Sequence, residues 1–149
     1  MYRIIRPLLF LFSPETAHML VFKALKIIKF IPFGNSVLKM FFSYSAPSLQ
    51  RQVIGLDFPN PVGLAAGLDK NAEVYNQMSL LGFGFVEIGS VTVAPQEGNP
   101  KPRSFRLVKD KALINRMGIN NMGVKKIVRN IQRNKPRVII GGNISKNSS

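Results

Sequence analysis

The chain is 149 residues long, 46% hydrophobic and 19% charged, which is the composition of a folding chain and excludes a disordered or collagen-like one. It has no Cys and a single His, His18, so disulfides, thiolate chemistry and His-rich metal sites are excluded and no metal is expected. The 21 Lys and Arg against 7 Asp and Glu give a formal charge of +14, a surface suited to anionic partners.

Residues 1–48 open with the short apolar run Leu8–Phe12, preceded by Arg3, Arg6 and Pro7. A spanning helix needs about 20 apolar residues, and no small-residue cleavage site follows, so neither a membrane span nor a signal peptide is expected. Ser13-Pro14-Glu15 has the order of a helix start: a capping hydroxyl, a proline in the first turn and an acid at the positive dipole end. The helix should run to about Phe30 and stop before Pro32 and Gly34. Lys23, Lys26 and Lys29 share one stripe of it, while Leu20, Val21, Phe22, Leu25, Ile27 and Ile28 fill most of the rest. A second apolar stretch, Val37–Phe42, completes a helical hairpin. Two readings fit this hairpin: ordinary helices packed on a core, or a basic amphipathic pair lying in a lipid headgroup region. The surplus of apolar surface favours the second.

From residue 49 the pattern becomes α/β. Val53–Phe58 has strand composition and ends at Pro59-Asn60-Pro61, and Val62–Gly67 reads as a buried parallel strand. Asp69–Leu81 is expected to be helical, with Val74, Met78 and Leu81 on one face, and Phe83–Gly89 to be the next strand. Strand, helix and strand in that order specify a parallel pair. A long connection from Ser90 to Asn121 carries two short strand-like pieces, Phe105–Val108 and Ala112–Ile114, with a turn at Lys109–Lys111. A second amphipathic helix is expected over Gly123–Arg133, a third strand over Val138–Ile144, and a polar end over Ser145–Ser149. Neither a G-x-G-x-x-G turn nor a P-loop is present.

Ala65–Lys70 falls at the C-terminal tip of the first parallel strand, where an α/β barrel carries its active site. Small residues there let a flat ligand approach the backbone, and Lys70 adds a cation. Asn115-Arg116-Met117-Gly118-Ile119-Asn120-Asn121 puts three amides in seven residues, which suits a planar heterocycle with alternating carbonyls and N–H groups, although it is also an ordinary turn composition. Gly89-Ser90 and Asn143 lie at the next two strand tips.

In order along the chain, Ser13–His18, Gly55–Pro61, Gly63–Lys70, Gly82–Gly84, Glu87–Thr92, Pro95–Pro100, Phe105–Leu107 and Asn115–Asn121 are together highly specific. The sequence resembles the N-terminal part of the quinone-dependent (class 2) dihydroorotate dehydrogenases. The resemblance implies an FMN-containing (β/α)8 barrel that oxidises dihydroorotate to orotate in pyrimidine synthesis and passes electrons to a membrane quinone. It implies FMN contacts at Ala66, Gly67, Leu68, Asp69, Lys70, Ser90 and Asn143. Orotate contacts are implied at Lys70, Asn115, Arg116, Met117, Gly118 and Ile119, and a quinone tunnel at His18 and Arg106. Ile119 replaces a Phe common in the family, and Ser145 a Gly.

The expected architecture is therefore a helical hairpin, residues 1–48, followed over 49–149 by the first strands of a truncated TIM barrel. A closed barrel takes eight strands and ~250 residues. The family's serine base would lie beyond residue 149, so no catalytic base is expected here and the chain alone is expected to be inactive. Peripheral association with the cytoplasmic face of a bacterial inner membrane is expected. Two other readings use the same features: a basic membrane- or nucleic-acid-binding module without catalysis, and another FMN barrel such as a tRNA dihydrouridine synthase. Nucleic acid is disfavoured because the 11 Phe and 3 Tyr sit mostly in apolar runs, not among the basic residues.

Overall fold

The computed structural model describes residues 2–148; Ser149, at the end of the expected polar tail, lies outside the described residues. Three helices lead the chain: α1 (Tyr2–Phe10), α2 (Pro14–Ile28) and α3 (Gly34–Phe42). The Ser13 side chain caps α2 by accepting from the Thr16 amide at 3.2 Å, with Pro14 in the first turn and Glu15 beside it, as the sequence predicts. Helix α1 was not legible in the run before Ser13. It takes Pro7 into its interior, and Arg106 donates to the Leu9 carbonyl in its last turn and to the Phe12 carbonyl just beyond it.

After a 3₁₀ turn at Pro47–Leu49, the expected strand Val53–Phe58 is instead a hairpin. Strands β1 (Arg51–Val53) and β2 (Leu56–Phe58) pair antiparallel, with Arg51 opposite Phe58. The chain reverses at Ile54-Gly55, whose φ angles of 48° and 76° are those of a tight two-residue turn. Phe58 then stands edge-on to Phe85, ring centroids 5.4 Å apart.

The central layer is a parallel sheet in the order β3 (Gly63–Leu64), β4 (Phe85–Val91) and β7 (Ile139–Ile144). Leu64 aligns with Val86 and Val86 with Ile140. In β4, Val86, Ile88 and Val91 are buried, and the side chains between them are partly open. Helix α4 (Tyr75–Leu80) connects β3 to β4 and is shorter than the expected Asp69–Leu81. The reason is local. The Asp69 carboxylate accepts from the Glu73 and Val74 amides, each at 2.8 Å, and Ala72 sits at φ 54°, so a capped turn occupies nearly the first half of the expected helix.

Between β4 and β7 lie the antiparallel hairpin β5 (Ser104–Leu107) with β6 (Ala112–Asn115), then α5 (Val124–Arg133), as expected within a residue or two. One core joins the layers. Phe22 and Leu25 of α2 pack with Val74, Tyr75 and Met78 of the α4 region, the β4 residues, and Ile127 of α5. The hairpin thus uses one face in the core, while Ile27, Phe30, Ile31, Phe33, Val37, Met40, Phe41 and Phe42 remain exposed. The first reading holds for the buried face, and the exposed face is the surface that the second reading would assign to lipid. No helix among the described residues is long and apolar enough to cross a membrane.

Candidate functional site

A cavity of about 660 Å³ opens where the N-terminal half of α2 faces the tip of β3 and the β5–β6 hairpin. Pro14, Glu15, His18, Met19 and Phe22 form one wall. Gly67, Leu68, Asp69 and Lys70 form the second, and Ser104, Leu113, Asn115, Met117 and Asn120 the third. Lys23, Lys26, Asn71 and Glu73 complete the lining, in which apolar surface from Pro14, Met19, Phe22, Leu68, Leu113 and Met117 is interleaved with charged and amide groups.

Lys70 is the central cation. Its ammonium donates to the Gly67 carbonyl, and no carboxylate among the described residues lies within ion-pair distance of it. Burial, with the Arg103 charge as a lesser cause, holds its pKa below the ordinary lysine value. A half-buried cation without an anion partner suits an anionic ligand. His18 stacks on Phe22 with ring centroids 4.1 Å apart, and burial, then the charge of Lys70, lowers its pKa. A neutral imidazole facing the cavity follows. Asp69 is fully buried, and burial raises its pKa against the pull of its amide bonds; its carboxylate serves the backbone of the turn, leaving Lys70 to face the cavity.

Next to this wall the strand tips form a second polar group. The Gly67 amide donates to the Gly89 carbonyl at 2.8 Å, which ties the tip of β3 to that of β4. The Ser90 hydroxyl donates to the Asn143 carboxamide, whose Nδ2 donates to Glu87 at 3.2 Å. Glu87 also accepts from the Ala66 amide at 3.4 Å. Ala66, Ser90 and Asn143 are thus brought together around Glu87, a residue the sequence reading passed over. An acid inside an otherwise apolar strand was the available signal.

The Asn-rich loop is divided. Asn115 and Met117 line the cavity, whereas Arg116 donates to the Pro102 carbonyl at 3.2 Å and turns away. Gly118 and Ile119 offer carbonyls to Gln96 and Asn121. Asn121 is buried and fastens the loop to the end of β4 through the Thr92 amide and hydroxyl. Arg106 is not on the cavity wall. Its guanidinium donates to Phe12 O at 2.6 Å and Leu9 O at 3.3 Å and lies 4.5 Å from the Phe10 ring centroid, so it holds the C-terminal end of α1. His18 lines the cavity and Arg106 packs against the segment just ahead of α2.

A family model described as dihydroorotate dehydrogenase matches residues 48–149. The chain belongs to the dihydroorotate dehydrogenase family. It is similar to the dihydroorotate dehydrogenase (quinone) of Christiangramia forsetii, 53% identical over 100% of this chain and 44% of that protein. The corresponding protein of Idiomarina loihiensis is 47% identical over 100% of this chain and 43% of its own length, and that of Coxiella burnetii 51% over 98% and 41%. The chain thus spans less than half the length of these relatives. Among solved structures it is similar to DHODH from Eimeria tenella, at 39% identity to both a ligand-free structure and a ferulenol complex. The ligand-free one gives a TM-score of 0.75 over 90% of this chain and 37% of that one, and the ferulenol complex 0.71 over 90% and 36%. The mixed α/β fold with its parallel sheet is therefore that of a part of a dihydroorotate dehydrogenase, as expected of the first strands of the barrel.

Proposed function

We propose that this chain provides one portion of a flavin enzyme that oxidises dihydroorotate to orotate, with a membrane quinone as acceptor. Residues 49–149 form the beginning of the barrel and residues 1–48 the quinone-access and membrane-facing segment. The observation that carries the reading is the convergence of Lys70 and Asn115 on one cavity, with Lys70 lacking an anionic partner.

The residues present fit FMN. Gly67 has φ 108°, and a Cβ built there would meet nothing nearer than the Lys70 ammonium at 4.0 Å, so the backbone is open to a flat ring. The donor set of backbone amides, the Ser90 hydroxyl, the Asn143 carboxamide and the Lys70 ammonium suits ring carbonyls and N–H groups, and Glu87 is already engaged by two of them. Ala66, Gly67, Leu68, Asp69, Lys70, Ser90 and Asn143 would hold it. Bound there, the flavin would accept two electrons from the substrate and pass them on to the quinone. Lys70 would pair with the substrate carboxylate, and Asn115, with its neighbours to Ile119, would hold the pyrimidine ring by amide donors and acceptors. His18 and Arg106 serve the quinone side, and the exposed Phe30, Ile31, Phe33, Met40 and Phe41 give a peripheral foothold on the cytoplasmic face of the inner membrane.

The test is a chimera of residues 1–149 with the remainder of the Christiangramia forsetii relative, loaded with FMN and mixed anaerobically with dihydroorotate. Bleaching of the flavin, its return on adding a quinone, and loss of bleaching in Lys70→Ala are expected. Flavin that stays oxidised overturns the reading.

A further inference from the structure

Arg103 is a buried charge outside the assigned site, 7% exposed, and it touches both sides of the cavity framework. Towards α2 its guanidinium meets Glu15 as a fork: Nη2 to Oε1 at 2.6 Å, with Nε at 3.2 and 3.4 Å from the two oxygens. Towards the loop ahead of β5, Nη1 donates to Glu97 O at 2.6 Å and Asn99 O at 3.1 Å. That loop is itself fastened to the Asn-rich loop. The Asn99 amide donates to Met117 O at 3.1 Å, the Asn99 side chain to Arg116 O at 2.8 Å, and the Arg116 amide to Arg103 O at 2.8 Å. Glu15 lies one helical turn before His18, and Asn115 and Met117 flank Arg116.

We propose that Arg103 is a positioning residue that ties the α2 wall of the cavity, carrying His18, to the loop wall, carrying Asn115 and Met117. The fork is what the job requires. One planar guanidinium reaches a carboxylate on one element and two carbonyls on another, which the single ammonium of a lysine cannot match in geometry. Losing either partner leaves a desolvated charge, so the two walls hold or loosen together. Glu15 is also met by Lys101, but at 3.5 Å and from an exposed side chain, a contact that solvent screens. The coupling stands on these contacts; it rests on the proposed reading only for which ligands the two walls face.

Hydrogen–deuterium exchange on the full chain tests it without any turnover, so its failure and that of the proposed reaction are distinguishable. Glu15→Gln alters an α2 side chain that meets Arg103 and, more weakly, Lys101, and Glu15 has no hydrogen bond to Asn99 or Arg116. The expected result is exchange faster by about tenfold at the Asn99 and Arg116 amides, the order set by weakening one charge-assisted bond. The Asn121 amide, bonded to Gln96 O at 3.0 Å and anchored through Thr92, should keep its rate. Arg103→Lys should speed the same two amides, and adding Glu15→Gln to it should change nothing further. Unchanged Asn99 and Arg116 rates in Glu15→Gln overturn the coupling. So does an equal rise at Asn121, which would report general loosening.

Discussion

Strand β4 and the α2–α3 hairpin are both rich in apolar side chains, and they spend them in opposite ways. In β4 the apolar residues alternate with partly open ones, and Val86 at 0% exposure and Ile88 at 3% are packed between helices. In the hairpin the buried residues are Ala17, Phe22, Leu25 and Gly34, while Phe30 is 76% and Phe33 82% exposed. A strand's period of two sends every second residue inward, so pattern and burial coincide. A helix with apolar residues nearly all round can bury only one stripe against the sheet, and the remainder faces outward. Apolar content therefore places β4 in the core but cannot by itself place the hairpin. Under the proposed membrane-facing role, Lys23 and Lys29 beside the exposed residues would be the groups that meet lipid headgroups.

The contrast can be broken most forcefully from the core side. Ile127→Ala removes a side chain 2% exposed from the cluster shared by α2, α4, β4 and α5, and should cost about 2–5 kcal/mol in a denaturant titration. Phe33→Ala, a larger truncation by volume, should stay within about 0.5 kcal/mol because the ring touches mainly solvent. Equal losses at both would mean that the hairpin's outer face is covered in solution. A smaller effect with the opposite assignment sharpens the same point. Phe30→Ser with Phe33→Ser should weaken flotation with acidic vesicles by roughly tenfold, or about 1.4 kcal/mol, and leave unfolding unchanged. Vesicle binding that survives the pair would remove the hairpin from the membrane contact.

The same periodicities explain what the sequence made legible. The βαβ order, the β5–β6 hairpin and α5 follow from alternation and 3.6-residue spacing; β5, β6 and α5 lie within a residue or two of expectation, whereas β3 and α4 are shorter than expected. The errors came where side chains or turns override pattern. Ile54-Gly55 splits one apolar run into two strands by a two-residue turn in which Gly55 takes positive φ freely and Ile54 takes it against the preference of its branched side chain, and Asp69 shortens a helix by drawing two amides to itself. For the site, strand-tip position brought Gly67, Lys70, Asn115 and Met117 to one cavity. Spacing said nothing of Arg103 or Glu15, which lie 88 residues apart and meet only in the fold. Nor could it separate Arg116, turned outward, from the two cavity residues on either side.

The smallest expected effect probes the seam between the two regions, where His18 of α2 faces Lys70 of the β3 tip. Burial is the larger cause of the lowered His18 pKa and the Lys70 charge the next, with Asp69, Glu15 and Glu73 pulling the other way. Because the folded state binds this proton less readily than the unfolded chain, stability is fully present above the ordinary imidazole range near ~6.5. It is lost as pH falls through the lowered folded value. His18→Gln should flatten that part of the stability curve. With one histidine in the chain, its ring signals in proton NMR belong to one group, so the titration can be followed directly. Lys70→Met should move the midpoint upward yet leave it below the ordinary value, since the larger cause, burial against Phe22, survives the substitution. A full return to the ordinary value would show that charge and not burial sets the imidazole's state. A midpoint that does not move would place Lys70 too far from His18 for the cavity to have the closed seam between α2 and the strand tip on which the two-sided site depends.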